Sequence, residues 1–144
     1  MISIKSILHA KGNDLWHVIP ESNVFDAIKI MEEKNVGALL VLDDNELTGI
    51  ISERDYTRKI ILKGKSSKET KVKEIMTSDV KTVESHQSIF ECMEIMTNLH
   101  VRHLPVMENN RLAGIISIGD VVKAVISDQK ETIDFLKSYI SGGV

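Results

Sequence analysis

Apolar and polar positions follow one another along this chain in two runs that read alike. In the first, a short apolar stretch (LWHVI, 15–19) precedes a segment whose apolar positions are Val24, Ala27, Ile28 and Met31. Their i, i+3, i+4, i+7 spacing predicts one buried face of an amphipathic helix. A continuous apolar run (GALLVL, 37–42), a polar turn (DDNE, 43–46) and a second strand-like run (LTGIIS, 47–52) come next. Two apolar runs around a polar tetrad predict a hairpin. A second helical segment (RDYTRKIILK, 54–63) closes the unit. The later run has VKTV (80–83), a helical face of Ile89, Cys92, Met93 and Met96, then RHLPVM (102–107), ENNR (108–111), LAGIIS (112–117) and GDVVKAVIS (119–127).

The two runs are copies at a constant offset of 65 residues, without a gap. Val18 pairs with Val83, Phe25 with Phe90, Ile30-Met31 with Ile95-Met96, Val36 with Val101, Leu39 with Leu104, Val41 with Val106 and Asn45 with Asn110. Two copies predict a pseudo-symmetric pair rather than a solenoid. The expected class is mixed α/β (α+β), with the order β-α-β-β-α written twice. One copy of under ~60 residues is marginal alone, so the two are expected to pack together. The resulting division is a lead-in (1–13), a first motif (14–63), a linker with a short helix (64–79), a second motif (80–128) and a terminal helix with its tail (129–144). The basic stretch KGKSSKETKVK (63–73) reads as a solvated linker, and Asp128 with Glu131 as the cap of a separate terminal helix bearing Ile133, Leu136 and Ile140 on one face.

Composition changes this picture little. At 144 residues, with ordinary apolar and charged fractions, the chain can bury roughly two-thirds of its unfolded surface. A net charge of −3 argues against nucleic acid or an anionic membrane as a bulk electrostatic partner. Cys92 is the sole cysteine, so no internal disulfide forms and a reducing compartment fits. No apolar run approaches the ~20 residues of a membrane span, and MISIKSILHAKGND does not read as a signal peptide. The expected location is the cytoplasm.

The chemistry concentrates where each copy ends in Ser-x-x-Asp, at Ser52…Asp55 and Ser117…Asp120. At a strand-to-helix junction this is a capping box, and Asn23…Asp26 and Ser88…Glu91 occupy comparable places before the first helices. A helix N-terminus also offers N–H donors and a positive dipole end to a phosphate. Its carboxylate can accept the paired hydrogen bonds of a vicinal diol. Gly49 and Gly114, three residues before each Ser, bring a strand backbone where another group can approach closely. Both the structural and the binding reading stand at this point.

The stretches VGALLVLDDNELTGIISERDYTRKI and VRHLPVMENNRLAGIISIGDVVKAVI resemble the tandem cystathionine-β-synthase-type (CBS) domain family, the Bateman module, over about residues 14–128. The resemblance implies two CBS motifs packed as a pair, in small stand-alone prokaryotic form. It implies adenosine nucleotides in clefts between the motifs, with Asp55 and Asp120 on ribose hydroxyls and Ser52 and Ser117 on phosphate. The base would lie against Val36, Gly37 and Ala38, and against Val101, Arg102 and His103. Thr82 and Val83 in the second copy, and His17 and Val18 in the first, would line the cleft from the first strand. Arg54, Arg58, Arg102 and His103 are the cations near the motifs, and Arg suits a phosphate because its planar fork makes two hydrogen bonds. Glu53-Arg54 in one copy faces Ile118-Gly119 in the other, so the clefts should be unequal.

Other candidates fail on spacing. GKS at 64–66 has Lys59 where a phosphate loop needs its first glycine. His100 and His103 would point to opposite faces of a strand, with no cysteine or acid cluster nearby. His9 and His86 are scattered, and Cys92, on an apolar helical face, reads as a buried inert thiol. Five lysines between 63 and 73 have no interleaved aromatics to stack bases.

The expected function is a non-catalytic regulatory module that binds AMP first, then ADP, ATP, NAD(H) or S-adenosylmethionine, and signals by reorientation of the motifs. No catalytic cofactor or metal is expected, and no convergent nucleophile–base set appears. A homodimer through the helices after each Ser-x-x-Asp is implied by the family resemblance, with an unidentified client protein. The alternative is a protein-interaction or assembly module without physiological nucleotide binding.

Overall fold

A computed structural model describes residues 2–12 and 14–141. The chain divides into two compact units, one formed by Asp14–Thr82 and the other by Met1–Asn13 together with Val83–Val144.

In the Asp14–Thr82 unit, β1 (His17–Val18) pairs in parallel with β2 (Ala38–Asp43), which pairs antiparallel with β3 (Glu46–Ser52). Helix α2 (Val24–Lys34) packs on the sheet through Val24, Ala27 and Met31, all buried, as the periodicity predicts. Asn23 caps it, and Asn35 ends it in the left-handed region at φ 54°. A two-residue hairpin turn places Asp44 and Asn45 at positive φ (53° and 65°), the geometry that matches strand twist and favours Asn or Asp. Helix α3 (Glu53–Tyr56) starts at Ser52 and runs into a π-helical turn, Thr57–Ile61, where the sequence predicts uninterrupted α-helix.

The stretch expected to be a solvated linker is instead docked on this unit. Thr70 and Val72 are buried, and Val72 opens the one-turn helix α4 (Val72–Ile75). The backbone amides of Val24 and Phe25 donate to Thr70 O and Ser67 O, and that of Val72 donates to Ser22 O at 2.8 Å. Lys68 lies over the Phe25 ring, and Lys71 and Lys73 both reach Glu21 at 2.8 Å. Those two hydrogen bonds hold the Glu21 carboxyl down at about 2. Lysines counted as a solvated charge run therefore fasten the segment.

The other unit repeats the plan. Strands β4 (Val83–Glu84), β5 (His103–Glu108) and β6 (Arg111–Ser117) form the sheet, and α5 (Ile89–Leu99) buries Ile89, Cys92 and Met96. Backbone details recur at the same offset: positive φ at Asn109, Asn110 and His100, and a register shift at Val106/Met107 that matches Val41/Leu42. Burial pushes the Cys92 thiol up to about 11, which keeps it protonated.

Two features differ from expectation. The N-terminal helix α1 (Ile4–Lys11) belongs to this unit, where Ile4, Ile7 and Leu8 join its core. Helix α6 is one continuous helix, Ile118–Ile140 of 23 residues, so Asp128 is not a cap; its carbonyl accepts from Thr132 Oγ1 at 3.1 Å. No Gly or Pro interrupts the helix between Asp120 and Ile140, so nothing in the backbone forces a break. Residues 142–144 of the expected tail lie outside the described residues.

Candidate functional site

Both Ser-x-x-Asp pairs are complete capping boxes. Asp55 N–H donates to Ser52 Oγ at 3.2 Å and Ser52 N–H returns a bond to Asp55 Oδ2 at 3.0 Å. In the other unit the corresponding distances are 3.1 and 2.9 Å, between Asp120 N–H and Ser117 Oγ and between Ser117 N–H and Asp120 Oδ2. At α2 and α5 the N-cap side chain likewise accepts from the N3 amide. The helix-starting role of the motif is thus real in both copies. A carbonyl from the neighbouring strand end completes each cap: Glu53 N–H donates to Gly37 O at 3.0 Å, and Ile118 N–H to Arg102 O at 2.9 Å.

The carboxylates differ in how far their own unit satisfies them. A carboxylate offers about four acceptor positions. Asp55 is buried and fills them: Ser52 N–H and Ser52 Oγ on Oδ2, Lys59 Nζ at 3.0 Å and Thr77 Oγ1 at 3.4 Å on Oδ1. Asp120 is half-buried and receives Ser117 N–H and Lys11 Nζ, both on Oδ2, the latter at 2.7 Å. Its Oδ1 accepts no hydrogen bond from the described residues. Burial alone would raise Asp120. The Lys11 and Ser117 hydrogen bonds and the Lys11 charge outweigh it and hold the carboxyl below its ordinary value.

The glycines before each Ser admit different neighbours. A Cβ at Gly49 would meet Met76 Sδ at 2.6 Å and Thr77 O at 3.0 Å, because Thr77 bridges to Ile50 there. A Cβ at Gly114 would meet Leu8 Cδ2 of α1 at 2.9 Å. A Cβ at Gly119 would touch only Ser117 Oγ, at 3.6 Å, an ordinary van der Waals contact.

The remaining sequence-predicted residues fall into four groups. Val18, Ala38 and Val83 are buried, so a ligand would meet them through backbone groups. Val36 and Gly37 line a groove of about 420 Å³ with Ile28, Glu53, Tyr56 and Thr57. Val101 packs half-buried against its unit's core, and His103 pairs with Ser117 across β5 and β6. Arg54, Arg58, Arg102, His17 and Thr82 are exposed. Burial and the Lys11 charge press the His103 pKa down against the pull of Asp120, so this ring is neutral at pH 7 and supplies no cation. Lys11 and Lys59 were missed by sequence reasoning. Lys59 carries an i+4 signal from Asp55, whereas Lys11 carries none.

Two copies of a three-stranded α/β unit, each ending a strand in a capped carboxylate, define a tandem-repeat architecture. A CBS domain family profile matches residues 4–62 and 72–127, and the chain belongs to the CBS-domain family. It is 45% identical over 139 residues to the CBS domain-containing protein CBSX3, mitochondrial, of Arabidopsis thaliana, covering 93% of this chain and 67% of that protein. A protein with CBS domains from Burkholderia ambifaria MC40-6 is 50% identical, with a TM-score of 0.86 over 89% of this chain and 96% of that one. A hexameric CBS-CP12 protein from bloom-forming cyanobacteria is 26% identical, with a TM-score of 0.76 over 85% and 70% of the two chains. Paired CBS domains are commonly regulatory modules, and the match to an inosine-5'-monophosphate dehydrogenase of Methanocaldococcus jannaschii covers only 21% of that enzyme. No helix among the described residues is long and apolar enough to cross a membrane.

Proposed function

We propose that the chain is a non-catalytic regulatory module that binds an adenosine nucleotide, AMP first, at the Ser-x-x-Asp ends of its repeats. The observation that carries this reading is the state of Asp120. It is ionised at neutral pH, half-buried, and open at Oδ1, beside the start of a long helix where a Cβ at Gly119 would meet only Ser117 Oγ. A carboxylate acceptor for a ribose diol and the Gly119 amide, the first-turn N–H that neither Arg102 O nor Ser117 Oγ engages, lie within one turn of each other. Asp55, with its acceptor positions filled, is the weaker of the two. The inequality of the copies thus rests on carboxylate occupancy in addition to the Arg54/Gly119 difference. Binding signals to a client protein by favouring one conformation of the chain over another.

Calorimetric titration with AMP, ATP, NADH and S-adenosylmethionine tests the reading. Saturable binding of an adenine nucleotide supports it, and no heat from any of the four at millimolar concentration contradicts it.

The assembly reading has its own observation. Val122, Ile126, Ile133, Leu136 and Ile140 form an exposed apolar stripe along α6. We propose that a second copy of the chain covers it, giving a homodimer. The two readings are compatible, because the stripe and the Asp120 carboxylate are different parts of α6.

A further inference from the structure

The ion pair between Lys11 and Asp120 has no counterpart in the other copy, where the paired lysine, Lys59, lies four residues after its aspartate in the π-helical turn that follows α3. Lys11 stands at the end of α1, and its Nζ is held by two acceptors, Asp120 Oδ2 at 2.7 Å and Ile115 O at 2.8 Å. It lines one end of a groove of about 560 Å³ between α1 and α6, together with Ile7, Asp120, Lys123 and Ser127. With Ser117 N–H already on Oδ2, the ammonium fills the last acceptor position of that oxygen. A vicinal diol that grips a carboxylate by both oxygens places one hydroxyl on each, and only Oδ1 is open.

Resting on the nucleotide reading, we propose that Lys11 is an internal competitor for Asp120, through which α1 sets the affinity and diol selectivity of the second repeat. A ribose binds with both hydroxyls only by moving Lys11 off Oδ2, whereas a deoxyribose, with one hydroxyl fewer, uses Oδ1 without disturbing it. Lys11 is not needed to hold α1 in place. Ile4, Ile7 and Leu8 are buried, Leu8 fits against Gly114, and Ser3 caps the helix through Ser6 N–H at 3.2 Å. Loss of the ammonium therefore frees the carboxylate without undocking the helix.

Calorimetric titration of adenosine and 2′-deoxyadenosine into wild type, Lys11→Met and Lys11→Arg tests this, since neither ligand carries a phosphate that Lys11 could attract. Lys11→Met should tighten adenosine by about five- to tenfold, the size expected for one hydrogen-bond position released, and leave 2′-deoxyadenosine unchanged. Lys11→Arg, which keeps a cation on the carboxylate, should stay near wild type. Adenosine binding that Lys11→Met leaves unchanged or weakens, or equal tightening of both nucleosides, overturns the inference alone. Binding of neither nucleoside, nor of AMP, by any of the three chains overturns the nucleotide reading and this inference together.

Discussion

Lys11 Nζ and Asp120 Oδ2 lie 2.7 Å apart although 109 positions separate the two residues in sequence. The contact makes the N-terminal helix a working part of the second repeat. It also fixes the protonation of a carboxylate that burial alone would push toward the neutral form. Because the folded pKa of Asp120 is depressed, its stabilising contribution is full above the unfolded value of about 4 and is lost as pH falls through the folded value. Lys11→Met should therefore be less stable than wild type at neutral pH, with the two converging in acid. Urea midpoints measured down the acid limb check this. A gap that stays constant with pH would detach the ion pair from stability.

His103 is displaced in the same sense for a different cause, burial first and then the Lys11 charge. Its neutral form is favoured in the folded chain. Stability should begin to fall as pH drops through the unfolded histidine value, about 6.5, and level off once the folded ring also protonates. Proton NMR of the imidazole should show titration below the ordinary histidine range. His103→Gln should flatten the stability profile in that window.

Gly49 and Gly114 occupy the same place in the repeat but face unlike neighbours. At Gly114 a new methyl meets the end of a leucine side chain, which can turn aside. At Gly49 it meets Thr77 O, which cannot retreat without breaking the Ile50–Thr77 bridge. Gly49→Ala should cost about 1–3 kcal/mol and Gly114→Ala less, as read from denaturant unfolding. Equal losses would show that the 76–77 segment yields as easily as Leu8.

The docked linker should be visible in hydrogen exchange. The amides of Val72 and Thr77 donate to Ser22 O and Ile50 O at 2.8 and 2.9 Å, inside a unit that buries Val72 completely. They should exchange as slowly as strand amides, orders of magnitude slower than an open chain. Fast exchange at both would restore the solvated linker that the lysine-rich composition suggests.

A covered α6 stripe predicts a mass shift. Leu136→Asp puts a charge into the apolar line without touching the core, since Leu136 is half-exposed. Light scattering after gel filtration should give a dimer for wild type and a monomer for the variant. A wild-type monomer would leave the stripe uncovered by a second copy.

Much of this was legible in the sequence where the signal is local or repeated. The offset of 65 residues fixes the paired units, and the helical spacing of Val24, Ala27 and Met31 fixes a buried face. Ser followed by Asp fixes two capping boxes, and Asp44-Asn45 and Asn109-Asn110 fix two tight turns. What escaped depends on contacts that leave no periodic trace. Lys11 has no copy in the other repeat and reaches Asp120 only once α1 docks. The docking of residues 66–77 buries Thr70, Val72 and Ile75, dispersed apolar or small side chains in a charged stretch, and draws on Lys71 and Lys73 reaching Glu21. The fusion of two predicted helices into α6 follows from the absence of any breaker near Asp128, whose capping potential the helix leaves unused. The two capped carboxylates were legible as a motif. The unequal occupancy of its two carboxylates required coordinates.

In the proposed nucleotide site, Asp120 holds the ligand more than Asp55 does. AMP is titrated calorimetrically into wild type, Asp55→Asn and Asp120→Asn, variants that keep an oxygen to accept the cap hydrogen bond. Loss of a charge-assisted acceptor predicts at least about tenfold weaker binding for Asp120→Asn, with Asp55→Asn within about twofold of wild type. Unchanged affinity in Asp120→Asn, or a larger loss in Asp55→Asn, would contradict the account.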